Sequence, residues 1–169
     1  MLSATVNRPL MPDDISLISA LHDRVFGPGR FARTAYRVRE AHALAGGKPS
    51  PYCRVAVLGG DVVAALHMTA ISIGGRRDAL LLGPLVVAPE VAGKGFGRAL
   101  VSEALEAARA GGVRAVILVG DEPYYGRFGF APVPPGAITL PGPVDPKRIL
   151  ALELVPGALA EYRGAVAAG

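Results

Sequence analysis

The stretch Leu85-Val86-Val87-Ala88-Pro89-Glu90-Val91-Ala92-Gly93-Lys94-Gly95-Phe96-Gly97-Arg98-Ala99-Leu100 joins an apolar strand, a glycine-rich turn and the start of a helix. The strand begins upstream. Ala79 to Val87 is strongly apolar and carries the pair Gly83-Pro84 in its interior. The helix continues downstream to Ala110. Gly97, Leu100, Val101, Ala104, Leu105 and Ala108 fall on one face, and Arg98, Ser102, Glu103, Glu106 and Arg109 on the other. Gly111-Gly112 supplies a stop. Val113 to Val119 is then rich in Val, Ile and Leu, the pattern of a strand covered on both faces.

A glycine turn between a strand and a helix is suited to an anion. Glycine lets the backbone turn sharply and approach a ligand closely. The first N–H groups of the helix have no partner within it, and the helix dipole favours negative charge at that end. Lys94 and Arg98 add positive charge there. The spacing Gly93-x-Gly95-x-Gly97 excludes two common nucleotide motifs. The dinucleotide fingerprint G-x-G-x-x-G would need glycine where Arg98 stands, and the P-loop G-x-x-x-x-G-K-[ST] is absent. A tight turn with no ligand is the alternative reading of the same residues. Pro84 has no N–H to give a sheet, so Gly83-Pro84 predicts a bulge or a lost pairing, with an ordinary edge-strand proline as the alternative.

Outward from this segment, residues 2–7 read as a short strand and Pro12-Asp13-Asp14 as a helix start, with acids at the positive end of the dipole. That helix runs to Phe26 and buries Ile15, Ile18, Leu21, and His22 or Val25. A second helix is expected from Arg30 to Ala43 and a loop from Gly46 to Pro51. Tyr52–Leu58 and Val62–Ile73 read as strands joined at Gly59-Gly60-Asp61, a hairpin turn. Gly74 to Asp78 turns the chain again. Gly120 to Gly129 is a loop with one helical turn, Phe128 to Pro132 starts a strand, and Ile149 to Val155 reads as a last strand. The tail from Pro156 has no assignment. With 169 residues, no internal repeat and no long linker, a single domain is expected over 1–169, with its core at about 3–155.

Composition narrows the function classes. The net charge of +4 suits a handler of polyanions, nucleic acid included. The chain has no Trp and no basic run mixed with aromatics, which speaks against a nucleic-acid binder. Cys53 is the only cysteine, so neither an intrachain disulfide nor a multi-cysteine metal site can form, and no His/Asp/Glu group has metal-ligand spacing. The start MLSATVNRPL lacks a charged-then-apolar leader, and there is no apolar stretch of membrane-spanning length. A cytoplasmic protein, not attached to a membrane, is expected.

The quoted segment resembles the acetyl-CoA motif of the GNAT superfamily of N-acetyltransferases, roughly V-x-P-x-x-[RQ]-G-x-G-[IL]-G-x-x-L. Ala92 stands where that motif usually has Arg or Gln. The element order resembles the same fold from about residue 3 to residue 155. The resemblance implies an α/β (α+β) domain with a mixed, mostly antiparallel sheet, helices on both faces, and a fourth strand that splays from the fifth. It implies acetyl-CoA as cosubstrate, its pyrophosphate on the backbone of Ala92, Gly93, Lys94, Gly95, Phe96, Gly97 and Arg98. The backbone of Leu85, Val86 and Val87 would align the pantetheine and polarise the thioester carbonyl. Tyr124-Tyr125-Gly126-Arg127-Phe128-Gly129-Phe130 resembles the second signature, Y-x-x-x-G-F. Tyr125 takes the place of the tyrosine that protonates the departing thiolate, with Tyr124 a weaker substitute, and packing against the sheet is the alternative role for Tyr125. The short Gly120-Asp121-Glu122-Pro123 connection resembles a bacterial subgroup of predicted acetyltransferases.

The expected reaction is direct acetyl transfer to a primary amine, on a small molecule or a protein, in a ternary complex. A non-catalytic, CoA-binding regulatory module on the same scaffold is the alternative, and a nucleic-acid adaptor a third reading. An amine protonated near neutral pH needs a base. His67 is the histidine near the expected site, and a packed core histidine is its other reading. Glu90 and Asp121 read as solvated loop carboxylates, and Cys53 as a buried structural thiol. Arg30, Arg33 and Arg37 share a helix face that either attracts an acidic substrate or is simply solvated. A homodimer is compatible with this architecture.

Overall fold

Residues Arg54 to Val87 form an antiparallel meander whose turns are built on paired glycines. In the computed structural model, which describes residues 5–27, 50–141 and 144–168, β2 (Arg54–Leu58), β3 (Asp61–Ile73) and β4 (Arg76–Val87) follow one another in register. Gly59 and Gly60 have φ of 57° and 87°, and Gly74 and Gly75 have 58° and 84°. Both turns therefore have the doubly left-handed geometry that matches strand twist and that glycine adopts without a Cβ clash. Because the second turn takes only two residues, β4 starts at Arg76, earlier than the Ala79 expected from hydrophobicity alone.

The strand order is β1-β2-β3-β4-β5-β8-β6, with β1 (Thr5–Pro9), β5 (Ala115–Val119), β6 (Ala131–Pro132) and β8 (Ile149–Glu153). β4 and β5 run parallel and the other main-path pairs antiparallel. The tail is structured. β9 (Gly164–Ala168) pairs with β3 at Ile71–Ile73 and with the short β7 (Ile138–Thr139). The reason is geometric: β3 outlasts β2, whose pairing reaches only Leu66, and β9 takes the edge left beyond it. The sheet thus extends past the expected core boundary at residue 155.

Three helices of the α type are described: α1 (Ile15–Phe26), α2 (Phe96–Ala110) and the single-turn α3 (Glu122–Tyr125). The residues α2 buries are the six predicted from its period. They cluster with Leu80, Leu82, Val116 and Leu118, so α2 covers that face of the sheet. Ala79, Leu81, Ala115 and Ile117 alternate to the opposite face and meet Ile138, Tyr162 and Val166. α1 buries Ile18, Leu21 and His22, and leaves Ile15 and Val25 exposed. His22 meets His67 of β3, which shares its face with Ile71, so α1 lies on the face opposite α2. The start of α1 is clamped to β1. Arg8 donates to both Asp14 carboxylate oxygens at 2.7 and 2.9 Å, and the Met11 N–H donates to Asp14 at 2.8 Å. These hydrogen bonds hold the buried Asp14 carboxyl below the usual carboxylate range. The expected helix Arg30–Ala43, with Arg30, Arg33 and Arg37, lies outside the described residues.

Candidate functional site

β4 has partners on both sides for only part of its length. Its ladder to β5 consists of Ala79↔Ala115, Leu80↔Val116 and Leu81↔Ile117. Beyond Leu81 comes Gly83-Pro84, a cis peptide, and the register to β3 skips between Leu66↔Leu85 and Met68↔Leu82. The extra β4 residue is a bulge, as the missing proline N–H predicts. From Leu85 to Val87 the strand is again paired to β3 and has left β5, whose own end continues on β8. A gap therefore opens between the carboxyl ends of two parallel strands, a place where open sheets commonly receive ligands.

The glycine loop stands at the mouth of this gap. After β4, a 3-10 turn at Pro89–Val91 leads to Ala92, Gly93, Lys94 and Gly95, all exposed. Gly93 and Gly95 have φ of 76° and 87°, and Gly95 caps α2. No neighbour lies within 4 Å of where a Cβ would stand on either, so the glycines here serve backbone conformation and leave room above it. The first helical bond runs from the Ala99 N–H to the Gly95 carbonyl at 3.0 Å. The N–H groups of Phe96, Gly97 and Arg98 precede it and face out at the positive end of the dipole. Gly97 is buried: a Cβ there would stand 3.1 Å from the Tyr124 hydroxyl, 3.4 Å from Val87 and 3.5 Å from Leu85.

The two tyrosines occupy different places. Asp121 precedes α3, and its backbone carbonyl accepts from the N–H groups of both Tyr124 and Tyr125, at 3.1 and 3.0 Å. The Tyr124 hydroxyl reaches α2 at Gly97, with Arg127 stacked on its ring at 4.9 Å. The ring of Tyr125 lies against Gly120, just past the end of β5. It is half-buried among Tyr124, Phe128 and Phe130, with ring centroids 4.8, 6.4 and 6.1 Å away. Tyr125 thus stands just past the carboxyl end of β5, while the Tyr124 hydroxyl shares the surroundings of Gly97 with Leu85 and Val87 of β4. Beside it, Arg98, Ser102, Pro123, Arg127 and Phe128 line an open cleft of about 500 Å³.

The remaining candidates separate clearly. Glu90 is exposed and ion-paired with Arg24 of α1, tying that helix to the loop. Asp121 accepts from Arg148 at 3.2 Å. Cys53 is buried, with the Met68 N–H donating to its sulfur at 3.3 Å. His67 is 8% exposed and faces α1 opposite the β4 bulge. Its neighbour His22 carries no motif; only its inward spacing on α1 pointed to it. Among the described residues, no group of three His, Cys, Asp or Glu is placed to hold a metal ion, and no helix is long and apolar enough to cross a membrane.

Comparison with known proteins agrees with this geometry. Residues 18–130 match the model of the acetyltransferase (GNAT) family. A GNAT family N-acetyltransferase (YhbS) from Escherichia coli, solved in complex with CoA, is 24% identical, with a TM-score of 0.83 over 100% of this chain and 91% of that one. A GNAT family acetyltransferase from Brucella melitensis, in complex with acetyl-CoA, is 25% identical, with a TM-score of 0.75 over 99% and 97%. No curated protein matches the chain. The splayed parallel pair, the glycine loop that caps α2 and the family match over most of the sequence agree, and the chain belongs to the acetyltransferase (GNAT) family of acyltransferases.

Proposed function

We propose that this protein transfers the acetyl group of acetyl-CoA directly to a primary amine in a ternary complex. The observation that carries the reading is the loss of β5 from β4 after Leu81, beside an exposed glycine loop that caps α2. The residues fit the cosubstrate. The backbone from Ala92 to Arg98 offers N–H groups and a helix dipole to a pyrophosphate. Arg98 and Arg127 border the cleft beside it and suit the further phosphate of the nucleotide end. Leu85, Val86 and Val87 offer one strand edge to an extended, amide-bearing arm, which would pair as a strand does. Ala92 contributes its backbone alone, so a longer polar side chain is dispensable for this mode of binding.

The cosubstrate supplies an activated acetyl group. The protein must do the rest: hold the thioester in the gap, polarise its carbonyl with a β4 backbone N–H, remove a proton from the acceptor and protonate the leaving sulfur. Tyr125, just past the carboxyl end of β5, is the proposed acid, and His67, on the α1 face, the proposed base. The phosphates lie toward α2 and the acceptor approaches from the α1 face, so the two substrates do not compete for space. The family likeness supports this division of roles, and the acceptor is an amine of unspecified class. Thiol release from acetyl-CoA against a broad panel of small amines, amino acids and peptides tests the proposal. Release with at least one amine, accompanied by acetylated product, is expected. Tight CoA binding with no release across the panel would favour a regulatory CoA-binding module instead.

A further inference from the structure

One acidic side chain stands close to the proposed phosphate site. From Ala79 to Ser102 the chain has a single acid, Glu90, against two cations, Lys94 and Arg98. Glu90 comes three residues before Gly93, on the 3-10 turn that leads from β4 into the glycine loop. That turn is firmly seated. The Ala88 N–H donates to the Val63 carbonyl of β3 at 2.8 Å, the Ala92 N–H donates to the Pro89 carbonyl at 3.2 Å, and Val91 is 5% exposed. Glu90 itself is exposed.

An exposed glutamate has several rotamers open to it, and some of them bring its carboxylate toward an anion on the neighbouring backbone. This one is held. Arg24, in the last turn of α1, donates from both terminal guanidinium nitrogens to the two Glu90 carboxylate oxygens, one of them at 3.0 Å. A guanidinium fork fixes the plane of a carboxylate as well as its position. These hydrogen bonds hold the Glu90 carboxyl below the usual carboxylate range, so it carries its charge at neutral pH. α1 lies on the face of the sheet opposite α2, whose first turn is the proposed seat of the phosphates. The pair therefore draws the carboxylate toward the far side of the sheet.

An exposed ion pair of this kind adds little to folding stability. It matters more for the charge beside the loop. A carboxylate turned toward a bound pyrophosphate repels it, and water and salt screen charges only partly when they are closer than the Debye length. We infer that Arg24 is a positioning residue for the cosubstrate: it draws the Glu90 carboxylate onto α1 and so keeps the one acidic side chain of this stretch off the phosphate-binding backbone. This rests on the placement of CoA on the glycine loop given above. Arg24 touches no phosphate in this scheme and acts through Glu90.

The test is a double-variant cycle, read by calorimetric titration of the full chain with CoA at low salt. Arg24→Gln releases Glu90 and should weaken binding by about three- to tenfold. Glu90→Gln should bind CoA at least as tightly as the wild type, and adding Arg24→Gln to it should cost less than about twofold. Unmoved affinity in Arg24→Gln, or weaker binding by Glu90→Gln, overturns the inference. So does an equal loss from Arg24→Gln with and without the Glu90 carboxylate, which would place Arg24 itself on the cosubstrate. The loss in Arg24→Gln should shrink as salt is added, and a loss independent of salt would point to a displaced α1 and overturn the inference as well. Should Arg24→Gln fail to fold by circular dichroism, Arg24→Met, which keeps the aliphatic stem, takes its place in the same cycle. With a responsive amine, the KM for acetyl-CoA should rise by the same factor while kcat stays within about twofold, and a fall in kcat at unmoved KM overturns the positioning role. Gly95→Glu, run alongside, separates this inference from the reading it rests on. If Gly95→Glu binds CoA like the wild type, the glycine loop is not the phosphate site and that reading fails. If Gly95→Glu loses affinity and Arg24→Gln does not, the role of Arg24 alone fails.

Discussion

The two halves of β4 are made of similar residues and do different work. Ala79 to Leu82 is enclosed, with β3 on one edge, β5 on the other as far as Leu81, and side chains buried on both faces. Gly83 to Val87 is just as apolar, yet one edge of its backbone has left β5, and Leu85 and Val87 are only partly buried. The difference comes from backbone chemistry rather than from hydrophobicity. A bulge follows at Gly83-Pro84, and beyond it the strand no longer pairs with β5, so the edge from Leu85 to Val87 is the one proposed to receive the pantetheine arm.

This contrast should separate stability from binding. Leu81→Ala, in the enclosed half, removes a side chain that is 1% exposed and should cost about 2–5 kcal/mol in urea unfolding. The affinity of the remaining folded protein for CoA should be unchanged, and a large loss of affinity would show that the halves are not independent. Gly95→Glu acts the opposite way. It forces a side chain onto a left-handed residue and sets a carboxylate where the phosphates are proposed to sit, so calorimetric affinity for CoA should fall about 100-fold or more. Unchanged affinity would remove the loop from the site.

The tyrosines sharpen the same boundary. Tyr125→Phe should lower kcat by about 10- to 100-fold while leaving the CoA dissociation constant within about twofold. Tyr124→Phe, whose hydroxyl sits beside Gly97, should instead alter CoA affinity with a smaller change in kcat. If the two effects are exchanged, Tyr124 is the acid. The smallest effect is expected at the outer cleft. Arg127→Ala should weaken CoA by about three- to tenfold, and the difference should shrink as salt is added, because the site is open to solvent.

Much of this was legible in the chain. The face of α2 followed from its period, and the missing N–H of Pro84 marked an irregularity in β4, while the parting of β4 from β5 was implied only by the family resemblance. The glycine loop followed from its position between a strand and a helix. Each of these signals is local. What the sequence did not disclose depends on distant parts of the chain meeting. The short run Gly164–Ala168 has few large apolar residues to mark it as a strand, and it becomes one because β3 leaves an edge beyond β2. His22 was readable as an inward residue of α1, but not as the neighbour of His67, which depends on how α1 crosses the sheet. Adjacent tyrosines in a single helical turn point in different directions, and only the fold shows that Tyr124 reaches α2 while Tyr125 lies just past the end of β5.

Backbone hydrogen exchange with and without CoA tests the central claim most directly, since it reads both halves of β4 in one experiment. The account predicts slowed exchange on binding in Leu85–Val87 and Gly93–Arg98, with the already paired Ala79–Leu82 unchanged. Protection confined to other parts of the chain, with Leu85–Val87 and Gly93–Arg98 exchanging as in the free protein, would contradict it.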